Sequence, residues 1–358
     1  MSDNEENGFS VENAFSETIE RTWFGRIAEA FKGIVAGVIL IVIAIFGLNQ
    51  NEDRSDKRES SLNEGAAIVK SVSVDTILAE NAGKLIHTSG MVDTDEVLTD
   101  PAFNVSANAL RLVREVQVYQ WEEDTSTKTE KQLGGGEKEV TTYSYQKVWA
   151  NGLINSNSFR DKSYKNPQNV TFNQGTLEAK EMDFGAFSFP RSLARKMDGL
   201  EKLEVESDTE IGQQSYGMVS FYDGGYYIGD DPQAPQIGDM QVQFYVIEPA
   251  VVSVVAQQNG NTLQRYRTKA RGSIYLLEYG TESADGMFDI AQRENTFWTW
   301  LGRAVGCGVI YLGFILVFKP ISVIADFFPV VGSVIGGVFN VFSFILALIM
   351  TIFTVITA

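Results

Sequence analysis

Cysteine and histidine are almost missing from this chain of 358 residues, which holds one of each, Cys307 and His87. A single cysteine excludes an intramolecular disulfide framework and any cysteine-built metal site. A single histidine excludes a multi-histidine zinc site within one chain. Positive charge is short as well, with 29 Lys and Arg against 46 Asp and Glu and a formal net charge of -17. Phosphate binding needs clustered positive charge, so nucleic acid is not the expected main partner. Two stretches lack charge altogether: residues 33–48 carry no polar side chain, and residues 327–358 hold none of Asp, Glu, Lys or Arg. The chain is segregated into apolar and polar parts. It reads as a membrane protein with a large polar domain.

The uncharged stretch from residue 33 extends to Asn51. As a helix rising about 1.5 Å per residue it nearly spans a hydrocarbon core of about 30 Å, with Lys32 able to snorkel at the near end. An acidic leader, no basic n-region and no small-residue cleavage site argue for an uncleaved transmembrane helix rather than a signal peptide. Before it, Phe15, Ile19, Trp23, Ile27 and Phe31 recur every four residues. That spacing predicts an amphipathic helix in the membrane interface within residues 1–32; a cytosolic helix packed on a neighbour is the plainer alternative. Residues 297–319 form a second expected span, opened by Trp298 and Trp300 and holding Arg303. Residues 320–338, with Pro320, Asp326 and Pro329, read as an interfacial turn or short helix. Residues 339–358 make a third span, which either ends in lipid or precedes a missing fourth.

Glycine pairs at helical spacing, Gly33/Gly37, Gly302/Gly306 and Gly332/Gly336, lie in or beside each membrane segment. Such pairs let helix backbones approach closely and favour packing or self-association in lipid, although 32 glycines in the chain make coincidence a real alternative. Basic residues flank the first span almost evenly, so orientation is nearly a tie. Lys319 and the short following loop favour a cytosolic N-terminus and a lumenal or extracytoplasmic domain.

Residues 52–296 hold most of the acid. Val116 to Trp121 and Val140 to Trp149 alternate polar and apolar residues around Gly134, Gly135 and Gly136. Tyr119 and Trp121 share one face of the first run, and Tyr143, Tyr145 and Trp149 one face of the second, the pattern of a long hairpin. Residues 240–247, 251–257 and 273–278 predict a second β-rich block, and residues 65–70, 190–197 and 284–293 short helices. The fold class is α+β: a multi-pass α-helical membrane protein with a large, β-rich, mostly antiparallel extramembrane domain.

Several segments then occur together in order: Asn81-Ala-Gly-Lys-Leu-Ile-His87, Leu98-Thr-Asp-Pro-Ala-Phe103, Val116-Gln-Val-Tyr-Gln-Trp-Glu-Glu123, Tyr143-Ser-Tyr145, Asn155-Ser-Asn-Ser-Phe159, Asn166-Pro167, Ile237-Gly-Asp239 and Asp326-Phe-Phe-Pro329. With the layout of span, domain and further spans, they resemble the transmembrane protein 43 (LUMA) family from Trp23 onward. The resemblance implies one span, a lumenal domain and further C-terminal spans, usually with a fourth crossing. It implies residence in the endoplasmic reticulum and inner nuclear membrane, with lamins and emerin as associates, if the chain is eukaryotic. A bacterial relative would sit in the cytoplasmic membrane without those partners. The resemblance supplies no catalytic residues and no cofactor.

The residues themselves assemble no catalytic set. His87 lies in a strand-like run without a histidine partner, and Cys307 lies in an apolar span where a thiolate is disfavoured. Asp93, Asp95 and Glu96 could meet a hard cation but lack an EF-hand loop, so a solvated turn fits better. Asp223 to Asp231 is rich in Gly and Asp and reads as a turn, with calcium a minor alternative. Arg265, Arg267, Lys269 and Arg271 sit two apart, so a strand would line them on one face, as a lipid-phosphate or acidic-partner contact or as a charged edge guard. Arg303 is a second candidate contact, with snorkelling as its plain explanation. The expected function is a non-catalytic, self-associating membrane scaffold in contact with lipid. An oligomeric channel or transporter is the alternative, with a lipid-acting enzyme third.

Overall fold

The structure, a computed structural model, describes residues 14–205 and 219–358. Its frame is three long helices. Helix α1 covers Trp23–Ile68, and Thr22 caps it by accepting from Gly25 N. Helix α2 covers Ala284–Ala325, capped in the same way by Ser283 over Gly286 N. Helix α3 covers Pro329–Thr357, with proline in its first turn, where the missing N–H costs no helical bond. All three are long and apolar enough to cross a membrane. The 46 residues of α1 make a rod about 69 Å long, roughly twice a hydrocarbon core, so it continues far into the polar part of the protein.

Among the described residues two large sheets build most of the body, beside two two-stranded pairs. In the first, strand β1 (Ala14–Arg21) lies at one edge, followed by β4 (Glu137–Asn151), β3 (Arg111–Lys131), β7 (Met240–Ile247), β6 (Gly225–Ile228) and β5 (Val219–Tyr222). All these neighbours are antiparallel. In the second sheet the central strand β8 (Ala250–Asn259) pairs with β2 (Leu85–Asp93) on one side and β9 (Leu276–Tyr279) on the other. Alternation explains the cores. Along β7, Met240, Val242, Phe244 and Val246 point inward onto Phe103, Leu112, Val116 and Tyr226. The second sheet packs Ile86, Val252, Val254 and Ala256 against Phe184, Phe187 and Phe189.

A third apolar cluster joins body to helices: Leu62 of α1, Met287, Phe288 and Ala291 of α2, and Leu85, Val255, Ile274 and Leu276 of the second sheet. Gly65 matters here, because a Cβ would fall 2.1 Å from Ile274 Cδ1 and 2.9 Å from Phe288 Cε1.

Three local expectations are corrected. Residues 14–21 form strand β1 against β4, not an interfacial helix, and the helix starts only at Trp23. A four-residue spacing is also a multiple of two, so Phe15 and Ile19 fit one face of a strand as well as one face of a helix. Residues 320–338 are not an interfacial turn or short helix. Helix α2 runs on through Pro320 to Ala325, α3 opens at Pro329, and the turn is confined to residues 326–328. The third apolar helix thus begins ten residues before the expected 339. Residues 284–293, expected as a short helix, are the first turns of α2.

Candidate functional site

Helices α1 and α2 run antiparallel along most of their length, and α3 packs on α2. Small residues set the seam. A Cβ on Gly37 would lie 2.5 Å from Gly313 O, and one on Gly306 would lie 2.5 Å from Leu48 Cδ2. Gly302 is equally committed, 2.4 Å from Asn51 Oδ1 by the same construction. Gly33 and Gly336 have ordinary clearance, while Gly332 fits because Asp326 Oδ1 lies 2.0 Å from where its Cβ would be. The glycines of the first two pairs therefore face a neighbouring helix of the same chain, and Gly332 and Gly336 face Asp326 and Ser322.

Polar side chains clamp this bundle at both ends. At the body end, Arg303 donates to both carboxylate oxygens of Glu52, at 3.0 and 2.6 Å, and lies over the Trp300 ring at 4.8 Å. Asn51 Nδ2 donates to Thr299 O, Asn295 Nδ2 to Ser55 O, and Thr299 Oγ1 to Ser55 Oγ. Buried polar groups need such partners, and here each helix supplies them to the other.

At the opposite end Asp326, in the turn between α2 and α3, accepts from Arg26 Nη2 at 2.6 Å and from Lys131 Nζ at 2.7 Å. Arg26 also donates to Gly135 O at 2.6 Å and pairs with Glu137 at 2.7 Å. Trp23 Nε1 donates to Val323 O, and its ring meets Phe327 at 5.3 Å. Gly135, at φ +81, leaves no room for a Cβ, which would touch Trp23 at 2.3 Å. Three distant parts of the chain meet here: the start of α1, the α2–α3 turn and the tip of the β3–β4 hairpin.

The aromatic face of that hairpin is covered near the body by residues 153–167. Tyr164 stacks on Tyr145 at 4.0 Å and meets Trp121 at 4.8 Å. Asn166 binds the Trp121 backbone on both sides, accepting from its N–H and donating to its carbonyl, each at 2.8 Å. Tyr145 donates to Glu123. Asp100 binds Arg114 at 2.5 Å and caps Ala102 N and Phe103 N.

The remaining expected residues are placed as follows. The four basic residues do not share a strand face. Thr268 and Gly272 close a tight hairpin between Tyr266–Arg267 and Ser273–Ile274, with Arg271 at φ 63, so the alternation breaks at the turn. Arg267, Lys269 and Arg271 are exposed there beside α1, while Arg265 lies over Tyr275 at 5.2 Å. Lys196 shares that ring at 5.5 Å, and burial, then Arg265 and Arg58, hold it below the ordinary lysine value. His87 bridges Ser71 Oγ and Glu282 O, a packing role. Cys307 is half-buried within the helix bundle. Glu96 accepts from Lys180 N and Glu181 N of a distant segment, while Asp231 accepts from Gln233 N within its own turn. Among the described residues no cluster of His, Cys, Asp and Glu could hold a metal ion. The Arg26–Asp326 pair was absent from the expected site. Its signal was chemical: a lone acid between two apolar helices demands a cation.

Three apolar helices clamped to an antiparallel body define an integral membrane protein of the α+β class. Residues 118–358 match the family described as Transmembrane protein 43, and the chain belongs to that family. Transmembrane protein 43 of Mus musculus and that of Homo sapiens are each 30% identical to it over 342 residues, covering 92% of this chain and 84% of theirs. The Transmembrane protein 43 homolog of Drosophila melanogaster is 29% identical over 307 residues, covering 84% of this chain and 78% of its own. No solved structure matches. None of these names carries an enzymatic activity.

Proposed function

We propose that the chain is a non-catalytic membrane scaffold that self-associates and presents its body to lipid or protein partners at a fixed height and angle. The observation that carries this reading is the pair of polar clamps. Glu52–Arg303 locks α1 to α2 at the body-side end of their apolar stretch, and Arg26–Asp326–Lys131 ties the far helix ends back to the body's own hairpin. Such double attachment suits a rigid platform better than a device that must open. The exposed Arg267, Lys269 and Arg271 lie against α1 beyond its apolar stretch, where anionic headgroups or an acidic partner would meet them. In a eukaryotic cell the reading places this scaffold in the endoplasmic reticulum and inner nuclear membrane, with lamins and emerin as candidate partners; in a bacterium, in the cytoplasmic membrane.

The full chain reconstituted in lipid discs tests it. Native mass spectrometry should give a discrete oligomer, and discs containing anionic lipid should retain more of it than neutral discs. Arg267→Glu with Lys269→Glu and Arg271→Glu should abolish that retention without changing the oligomer. A monomer insensitive to lipid charge would overturn the reading.

A further inference from the structure

Strand β3 parts from β7 after Val118, is held by residues 153–167 as far as Glu123, and reaches Lys131 at the far clamp. Those 13 residues of extended chain cover about 43 Å. Helix α1 is fixed to the body at Gly65 and meets the hairpin tip at Arg26. Its unbroken apolar stretch, residues 33–48, lies between those two levels. The ribbon formed by β1, β3 and β4 therefore passes through the same depth as the apolar helices.

Acyl chains cannot accommodate this ribbon. Residues 124–131 of β3 are exposed and read Asp, Thr, Ser, Thr, Lys, Thr, Glu, Lys. On the outer edge of β3 Tyr119 still bonds Asp239 and Gly238, and Trp121 bonds Asn166; beyond Trp121 no strand pairs that edge, so its backbone groups there have no ladder partner among the described residues. Open strand edges do not occur in lipid; such backbone at membrane depth is buried in protein or faces water. Meanwhile Val35, Val38, Ile39, Val42, Ile43 and Phe46 expose one continuous apolar face of α1 suited to lipid. At one depth the chain thus carries a surface for hydrocarbon and a surface for water. Repeating the chain encloses the ribbon.

We propose that copies of this chain assemble with their helices outward and their ribbons facing one another across a shared water-filled interior. This rests on the self-association inferred above and adds which surface faces inward. The test uses the full chain in liposomes, with Cys307→Ser removing the native thiol, and Thr127→Cys or Phe46→Cys placing a new one. The thiol at 127 should react with a membrane-impermeant maleimide and form copy-to-copy disulfides, and that at 46 should do neither. Native mass spectrometry of both variants in lipid discs should show one oligomer. An oligomer whose thiol at 127 never crosslinks overturns the inward ribbon while sparing self-association. A monomer overturns both, and a reactive thiol at 127 then places the ribbon outside the bilayer. A thiol at 46 that reacts as fast as that at 127 also overturns the proposal, because the helices would not then face lipid.

Discussion

Arg26 and Asp326 stand 300 residues apart in sequence and 2.6 Å apart in space, with side chains only 7% and 2% exposed. Removing one partner of a buried pair leaves an uncompensated charge and costs about 3–5 kcal/mol, whereas replacing both with apolar residues costs much less. Asp326→Ala should therefore lower the thermal midpoint strongly and expose Lys131 and Lys138 to trypsin, because the hairpin tip loses its dock. Arg26→Met with Asp326→Leu should recover part of that loss. The expectation fails if Asp326→Ala keeps both the midpoint and the protection of the tip.

Glycines in α1 are not equivalent. A Cβ on Gly37 would press on Gly313 O, while one on Gly47 would meet nothing within 4 Å. Gly37→Ala should force α1 away from α2 at a cost of about 1–3 kcal/mol, the usual range for overpacking. Gly47→Ala should be neutral or slightly stabilising, since alanine favours helix over glycine. Thermal unfolding of both variants in one detergent decides it, and equal midpoints would dismiss the close-contact argument.

Apolar runs, alternation and glycine turns made most of this fold legible in the sequence. Strand β7 has the bounds expected of it, and Gly134 and Gly135 do turn the hairpin, both at positive φ. Less was visible where local pattern is ambiguous or meaning lies in long-range contact. The polar outer halves of β3 and β4 show no hydrophobic alternation, so the hairpin reads shorter than it is. Phe15 and Ile19 satisfy two periodicities at once. Arg26, Glu137, Lys131 and Asp326 look like scattered charges until the turn, the helix start and the hairpin tip are brought together. Arg265 to Arg271 alternate perfectly in sequence, yet Gly272 and Thr268 bend them into a turn.

Phe103 anchors the first core. It is fully buried, 4.5 Å from Phe172, 5.0 Å from Tyr226 and 5.8 Å from Phe244, ring centre to ring centre. Phe103→Ala should cost about 3–5 kcal/mol through lost burial and the cavity left behind. Denaturant unfolding followed by tryptophan fluorescence measures it. A loss below about 1 kcal/mol would mean that the surrounding rings collapse into the space.

Glu178 supplies a pH dependence with a definite sign. Arg195 bonds it at 3.0 Å and Arg191 at 2.8 Å, and these bonds, Arg195 foremost, hold its carboxyl below the ordinary value. A carboxylate with a lower folded than unfolded pKa stabilises the fold fully above its unfolded value, near 4.3. That contribution disappears as pH falls through the folded pKa. Both arginines are well exposed, so solvent and salt screen the pair and its effect is modest. Glu178→Gln should lower the midpoint by about 1–3 °C at pH 7, and the gap should close on acidification below pH 4. High salt should shrink the gap at pH 7 in the same way. A gap that persists unchanged at low pH would assign the loss to packing of the side chain, not to its charge.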